Sequence, residues 1–444
     1  MQKNKKPGRG VLALVLAAVV LLGAVAGVVV ALRMMDTPES TVPPSSAVQG
    51  GTSSSAPTGD DSSTPTGQDA RAYEALPLPS EMRAMWISFL EWQQVDFTTE
   101  ESARAAVATM FENCAHLGLN TVIVAVRPFG DALYESDIFP YSHLLHADGA
   151  QGVRPGYDPL AVMVEEAHAL GLRIEAWINP YRVQDTRNGP ATLSEDNPAA
   201  LQPALVRNVG GNLWYDPGLP AVQQLVTDGA AEIVRNYDVD GIHFDDYFYP
   251  EGADDAFDAD SYAQYSDGQT LADWRRENTN SMVWHVYEAV KSANPTASFG
   301  ISCQGNNENN YGQMYADVRH WMANEGYVDY VMPQLYWGFA YRTAGGREDY
   351  AFENISATWA FYPRQPGVRL YAGLGAYRIG AGDGGSNDQS EWQSGHNLAD
   401  MVENLRTQAD YGGFALFRYA FLFENPDALG AQETEALWQV LQAG

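Results

Sequence analysis

The phrase Asp240-Gly-Ile-His-Phe-Asp-Asp-Tyr-Phe-Tyr-Pro250 gathers three carboxylates and a histidine in one short run. Glycosidic bonds are broken by such groups, because one carboxylic acid protonates the leaving oxygen while one carboxylate supports an oxocarbenium-like transition state. Read as a strand, the phrase has a period of two, so apolar Ile242 and Phe244 face one way and His243 and Asp245 the other. Asp245 is expected to be the ligand-facing carboxylate; the structural alternative is an ion pair with an interior arginine such as Arg127. Asp246, just past the strand, is an acid candidate or a loop-pinning residue. Glu175 and Asp131 are the other acid candidates, Glu175 because it shares strand parity with Trp177 and Asn179. His243 is read either as a sugar contact or as an interior polar group. His243, Asp245 and Asp246 cannot all aim at one ion from a regular strand, so no metal is expected, and no cofactor.

Four phrases close apolar runs with polar and aromatic residues: Arg127-Pro-Phe-Gly-Asp131, Trp177-Ile-Asn-Pro-Tyr-Arg182, the run from Asp245, and Pro333-Gln-Leu-Tyr-Trp337. Sugars suit such a set, since their C–H faces lie on Trp and Tyr while their hydroxyls bond to Asp, Asn, Gln and Arg. The candidate substrate contacts are Arg127, Asp131, Trp177, Asn179, Tyr181, Arg182, His243, Tyr247, Gln334, Tyr336 and Trp337. The acidic stretch with Asp254, Asp255, Asp258 and Asp260 lacks the Gly and terminal Glu of a calcium loop and is read as a solvated lid.

These phrases must be positioned by regular elements. Apolar runs rich in Val, Ile, Phe and Tyr alternate with helix-length amphipathic segments, the pattern of parallel strands joined by helical crossovers. Strands are expected over 82–89, 121–126, 173–177, 241–244, 298–302, 330–334, 370–374 and 413–417. Helices are expected over 101–117, 159–170, 220–236, 271–293, 315–324, 350–361, 397–411 and 432–441. Eight such units over 81–444 predict a (β/α)8 TIM barrel, whose chemistry sits where strands end and loops begin.

Ahead of the barrel, a basic flank over 1–10 with Lys3, Lys5, Lys6 and Arg9 precedes an uncharged run from Val11 to Leu32. A helix of that length just crosses a hydrocarbon layer of about 30 Å. It is expected to be an uncleaved single-pass anchor with everything after it outside the cell membrane; a cleaved signal peptide is the rival. Residues 36–75 switch to Ser, Thr, Pro, Gly and Asp, a linker with a reach of about 35 Å. The 26 Lys and Arg face 56 Asp and Glu, a net charge of −30. That balance repels phosphate backbones and argues against nucleic acid as a partner. Cys114 and Cys303 have no CxxC spacing and are read as small buried hydrophobes.

Taken together, RPFGDALY from Arg127, GYDPL from Gly156, AWINPYR from Ala176, YDPG from Tyr215, DGIHFDDYFYP from Asp240 and VMPQLYW from Val331 resemble glycosyl-hydrolase-like family 10, once catalogued as domain-of-unknown-function family 187. The resemblance runs from Glu81 to about Ala420. It implies a (β/α)8 barrel acting on bacterial envelope glycans, including peptidoglycan strands stripped of their peptides. One departure is Ser302-Cys-Gln-Gly-Asn306 after strand five, where many members carry Ser-Pro-Phe-Gly. The spacing Asp240-Gly-x-x-x-Asp245 also resembles the strand-four phrase of the α-amylase superfamily, which implies the nucleophile's place for Asp245. The chitinase-type phrase fits less well: Tyr247 stands where its acidic Glu would be, which argues against that substrate-assisted route. The expected function is a glycosidase on cell-wall glycan. A catalytically inactive wall-glycan-binding barrel is the alternative, and an esterase or deacetylase is disfavoured by the lack of a GxSxG phrase or a histidine-carboxylate metal set.

Overall fold

The computed structural model describes residues 73–443 apart from Asn425. Eight parallel strands close into a barrel. They are β1 (Met82–Ile87), β2 (Thr121–Arg127), β3 (Arg173–Ile178), β7 (Gly241–Phe244), β8 (Ser298–Ile301), β9 (Tyr330–Val331), β10 (Arg369–Gly375) and β11 (Tyr411–Phe417). Their order around the barrel is β1-β2-β3-β7-β8-β9-β10-β11, closing back on β1. Each expected strand falls on one of these, and the fold is the (β/α)8 barrel that the alternation predicts.

Between β3 and β7 the chain adds an antiparallel sheet that periodicity did not separate from loop. It consists of β4 (Arg182–Gln184), β5 (Val206–Val209) and β6 (Asn212–Tyr215), in the order β4-β6-β5. Gly210 and Gly211 join β5 to β6 with φ of 60° and 92°. Two consecutive left-handed residues make the tight turn that matches strand twist, which is why glycine stands at both.

The helices begin and stop for local reasons. Thr99 caps Glu100–Leu117 by accepting from Ser102 N, and Gly118, at φ 95°, ends it. Asp158 caps Pro159–Ala169, with proline in the first turn where its missing N–H costs nothing. On the outward face of the strands, Phe244 of β7 meets Phe299 of neighbouring β8 edge-on at 5.0 Å. Cys114 and Cys303 are both free and buried. The acidic stretch is not all solvated: Asp258 is buried and pairs with buried Arg275 at 2.6 Å, while Asp254, Asp255 and Asp260 are exposed.

At the end of the barrel where strands begin, the segment from Tyr73 is fastened down. Tyr73 Oη and Leu76 N both donate to Asp240 Oδ1 at 2.7 Å, Ala75 N donates to Thr296 Oγ1, and Asn294 Nδ2 donates to the Tyr73 carbonyl. Burial alone would raise the Asp240 carboxyl, but bonds from His168, Tyr73 and Ile174 N and the charge of Arg173 outweigh it and hold it below its ordinary value. A chain beginning at Glu81 loses these contacts. Calorimetry should find it about 1–3 kcal/mol less stable than one beginning at Tyr73, the scale of a few hydrogen bonds to a buried charge. The flank at 1–10, the apolar run at 11–32 and the linker up to residue 72 lie outside the described residues. Among the described residues no helix is long and apolar enough to cross a membrane.

Candidate active site

The barrel interior is built in layers, and the lowest holds Glu175. Glu175 Oε1 accepts from Arg173 Nε and Nη2 and from Ser298 Oγ, all buried. A Cβ on Gly241 would lie 2.2 Å from Glu175 Oε2 and 2.1 Å from Ser298 Oγ, so this layer closes only over a glycine. Glu175 pairs in register with Gly241, four residues before Asp245. At about 3.3 Å per residue, it lies roughly 13 Å below the strand end. It points inward as parity predicts, but at the wrong height to donate a proton there.

His243 forms the middle layer. Trp86 Nε1 on β1 donates to His243 Nε2 at 3.2 Å, so Nδ1 carries the proton and donates to Tyr330 Oη at 2.8 Å. Burial pushes the imidazole down to about 3. His243 is a neutral strut that ties β1, β7 and β9 across the interior, not a sugar contact. Tyr330 can lie there because Gly300 has no side chain; a Cβ at 300 would fall 1.9 Å from the phenol ring.

The upper layer brings the acids together. Asp245 is 4% exposed and accepts from Asn179 Nδ2 at 3.3 Å, from Tyr247 N at 3.2 Å and from the Trp177 side chain. Asp246 is half-buried and accepts from Gln334 Nε2 at 3.0 Å and from the Gln304 side chain. Gln334 also donates to Ser302 Oγ. Burial, then the neighbouring Asp246 charge, push Asp245 up to about 7, opposed by Arg182 and the N–H donors. Burial raises Asp246 too. Burial thus favours the protonated form of both carboxyls, the direction that an acid role needs.

Around this pair stands an aromatic rim. The Arg182 guanidinium lies 4.7 Å from the ring centres of Phe129 and Tyr247 and 5.3 Å from that of Phe89, and Arg182 Nε donates to the Pro128 carbonyl. Tyr247 is 43% exposed and leans toward Trp214 of β6, so the extra sheet contributes to the rim. Tyr336 stacks on Phe417 at 5.8 Å, and Trp337 packs against Tyr350 at 5.0 Å. Tyr247 and Trp337 present faces that a sugar can cover. Replacing either with Ala should weaken glycan binding by about 0.5–1.5 kcal/mol in calorimetric titration, with the fold retained. Trp177 is 8% exposed and serves to hold Asp245 rather than to carry a ring.

Three further expected contacts lie elsewhere. Arg127 is fully buried with its guanidinium 4.5 Å from the Phe139 ring centre, and Phe139 packs on Gly229 of the outer helix Pro220–Asn236. The register between β2 and β3 slips between Ala125 and Arg127, which turns Arg127 to the outward face. Asp131 is fully buried, its Oδ2 taken by His143 N, His143 Nδ1 and Gln151 Nε2. Tyr181 is fully buried beneath the added sheet, its carbonyl accepting from Tyr215 N. Asn179, Arg182, Tyr247, Gln334, Tyr336 and Trp337 are gathered at the strand ends as expected. Trp86, Trp214, Ser302 and Gln304 were not singled out as candidates. The first two carried a signal as tryptophans at a strand and beside a Gly-Gly turn, and the last two in following β8 directly.

A (β/α)8 barrel with adjacent acids at its strand ends under an aromatic rim is the architecture of the barrel glycosidase-like proteins. The glycosyl hydrolase-like 10 family matches residues 81–394, and the chain belongs to that family. The match stops short of β11, which closes the barrel. The chain is 36% identical over 321 residues to "Glycosyl hydrolase YngK" of Bacillus subtilis, an alignment that takes in 67% of this chain and 61% of that relative's length. It is 34% identical over 379 residues to "Glycosyl hydrolase DigH" of Escherichia coli K12, covering 77% of this chain and 83% of the relative. Among solved structures, an α-L-fucosidase isoenzyme 2 from Paenibacillus thiaminolyticus shares the fold with a TM-score of 0.51 at 12% identity, over 82% of this chain and 49% of that one. The catalytic domain of a β-amylase from Paenibacillus polymyxa does so with a TM-score of 0.51 at 10% identity, over 81% and 98%.

Proposed function

We propose that this chain is an extracytoplasmic glycoside hydrolase whose substrate is cell-wall glycan, with peptidoglycan strands as the first to test. The observation that carries the reading is the Asp245–Asp246 pair, one buried and one half-buried at the strand ends, under an aromatic rim that includes exposed Tyr247. Asp245, fixed by Asn179, Tyr247 N and Trp177, is the carboxylate that faces the cationic centre. Asp246, nearer the opening and held by Gln334, gives its proton to the leaving oxygen. Membership in the glycosyl hydrolase-like family and the names of its relatives support the reaction class. The basic flank and apolar run at the amino terminus support a single-pass anchor, which delivers the barrel to the wall.

The assay is release of new reducing ends from peptide-free peptidoglycan strands, with chitin oligosaccharides and an α-glucan as comparisons. Cleavage of the strands and not of the α-glucan is the expected result. Binding of the strands without cleavage of any of the three makes the chain a glycan-binding barrel instead. Sedimentation of the full chain with membranes, and its digestion by protease added outside cells, checks the anchor.

A further inference from the structure

A second cleft opens at the strand-end face, among the loops that follow β1, β2 and β4. Its volume is about 600 Å³, within the range of roughly 300–1,000 Å³ that encloses small organic ligands. Gln93, Gln94, Arg187 and Asn188 line it with amides and a guanidinium, beside half-buried Val95 and Leu144. Among the described residues none of those four side chains has a hydrogen-bond partner, and Arg187 pairs with no carboxylate. Amides that both donate and accept, set beside short apolar surface, suit the hydroxyls and C–H faces of sugars. The wall that carries them is braced. Asp185 Oδ1 accepts from Arg187 N and Asn188 N, which fixes the turn after β4. His143 Nδ1 and Nε2 both meet acceptors, Asp131 Oδ2 at 2.8 Å and the Asn188 carbonyl at 2.9 Å, and only the imidazolium satisfies both. Burial opposes that charge, but Asp131 and the Asn188 carbonyl outweigh it and hold the imidazole above its ordinary value. A cleft shaped in advance loses little to ordering when a ligand enters.

The cleft is continuous with the acid pair through side chains in contact. His143, which lines it, meets Phe129 edge-on at 5.4 Å; Phe129 carries the Arg182 guanidinium at 4.7 Å; and the Arg182 charge acts on both Asp245 and Asp246. Ring order places the cleft against the rest of the rim. β2 and β9 are four places apart among the eight strands, with β7 midway between them. The cleft, over β2 and its two neighbours, and Trp337, in the loop after β9, therefore take opposite sides of the opening. Asp245 and Asp246, which follow β7, stand between the two.

Building on the hydrolase reading above, we infer that this cleft binds sugar units of the polymer remote from the bond that is cut, so that long strands are cut internally and in preference to short fragments. Gln94 and Arg187 are the specificity-determining residues, bonding to sugar hydroxyls and carbonyls through an amide and a guanidinium. A strand that lies in the cleft and on Trp337 is held at two points, and the second contact forms at the effective concentration set by the first. That gain is made equally before and during the chemical step, so it appears in KM for strands long enough to reach both places.

The test uses the full chain and peptide-free peptidoglycan strands sorted by length, with new reducing ends as the readout. From fragments of a few sugars to long strands, kcat/KM should rise on the order of tenfold, and the first products of long strands should be strands of middle length. Gln94→Ala and Arg187→Ala together should erase most of that rise, the loss falling on KM for the long strands. Both side chains are exposed, and an unchanged Tm checks that the double variant folds. A flat dependence on length, an equal fall on short and long substrates, or parental KM in the double variant each overturns the inference and leaves the hydrolase standing. An effect of the double variant confined to strands that still carry their peptides gives the cleft to the wall peptide and overturns it as well. Absence of new reducing ends from every strand overturns the hydrolase reading instead, and the cleft is then judged by calorimetric titration. There the double variant should hold long strands on the order of tenfold more weakly than the parent, and equal affinity overturns the inference.

Discussion

Asp245→Asn is expected to lower turnover on peptide-free strands by on the order of 10³-fold or more, about 4 kcal/mol, while strand binding changes little. Asparagine keeps the size of the side chain and one of the two oxygens that accept from Asn179 Nδ2 and Tyr247 N, but it removes the charge that faces the cationic centre. The same change should raise thermal stability at pH 8. The folded Asp245 carboxyl sits near 7, above its ordinary value of 3.8, so between about pH 4 and 7 the folded state binds more protons than the unfolded one. Stability therefore falls as pH rises through that window, and stays low above it, where two neighbouring buried carboxylates are both charged. A variant that cannot carry the second charge escapes that penalty. Loss of activity together with a higher Tm at pH 8, and a smaller gain at pH 4, is the expected signature in paired kinetic and melting experiments. A drop in Tm with activity kept in the folded fraction would make Asp245 a structural residue.

Glu175→Ala should behave in the opposite way. It strips the acceptor from Arg173, whose Nε and Nη2 both donate to Glu175, and leaves a guanidinium buried among Ser298 and the Asp240 carbonyl. Breaking a buried pair by removing one partner costs about 3–5 kcal/mol, most of it the uncompensated charge. Denaturant titration should show that loss, while kcat of the protein that remains folded stays within about twofold of the parent, less than 0.5 kcal/mol in barrier terms. A large fall in kcat with unchanged stability would restore Glu175 as the acid. Replacing Arg173 and Glu175 together by apolar residues should recover much of the stability, which neither single change can do.

The contrast between these two carboxylates shows what a linear sequence discloses about a barrel. Alternation along Gly241–Phe244 correctly turned His243 and Asp245 inward, and alternation along Arg173–Ile178 correctly turned Glu175 and Trp177 inward. What alternation lacks is height along the barrel axis, because that depends on how far each strand is staggered against the next. The register that sets Glu175 beside Gly241 is a property of pairing between distant segments and leaves no local trace. Arg127 was misread for a different reason: a single slipped residue in β2 reverses the facing of everything after it, and nothing in Val-Ile-Val-Ala-Val-Arg marks the slip. The added sheet, by contrast, had announced itself in the Gly210-Gly211 pair between two apolar-rich stretches, a hairpin signal that the eight-unit pattern obscured.

The mooring of Tyr73–Leu76 sets the direction in which the protein can be pulled. Asp240, Thr296 and Asn294, which take hold of that segment, all stand where β7 and β8 begin, at the blind end of the barrel. Tension on the chain ahead of Tyr73 is thus delivered to the floor of the molecule, along bonds that brace β3 and β7 through Ile174 N and Asp240. The loops that carry Asp246, Tyr247 and Trp337 bear none of that load. The segment Tyr73–Leu76 therefore meets the barrel at the face opposite the one that carries those loops.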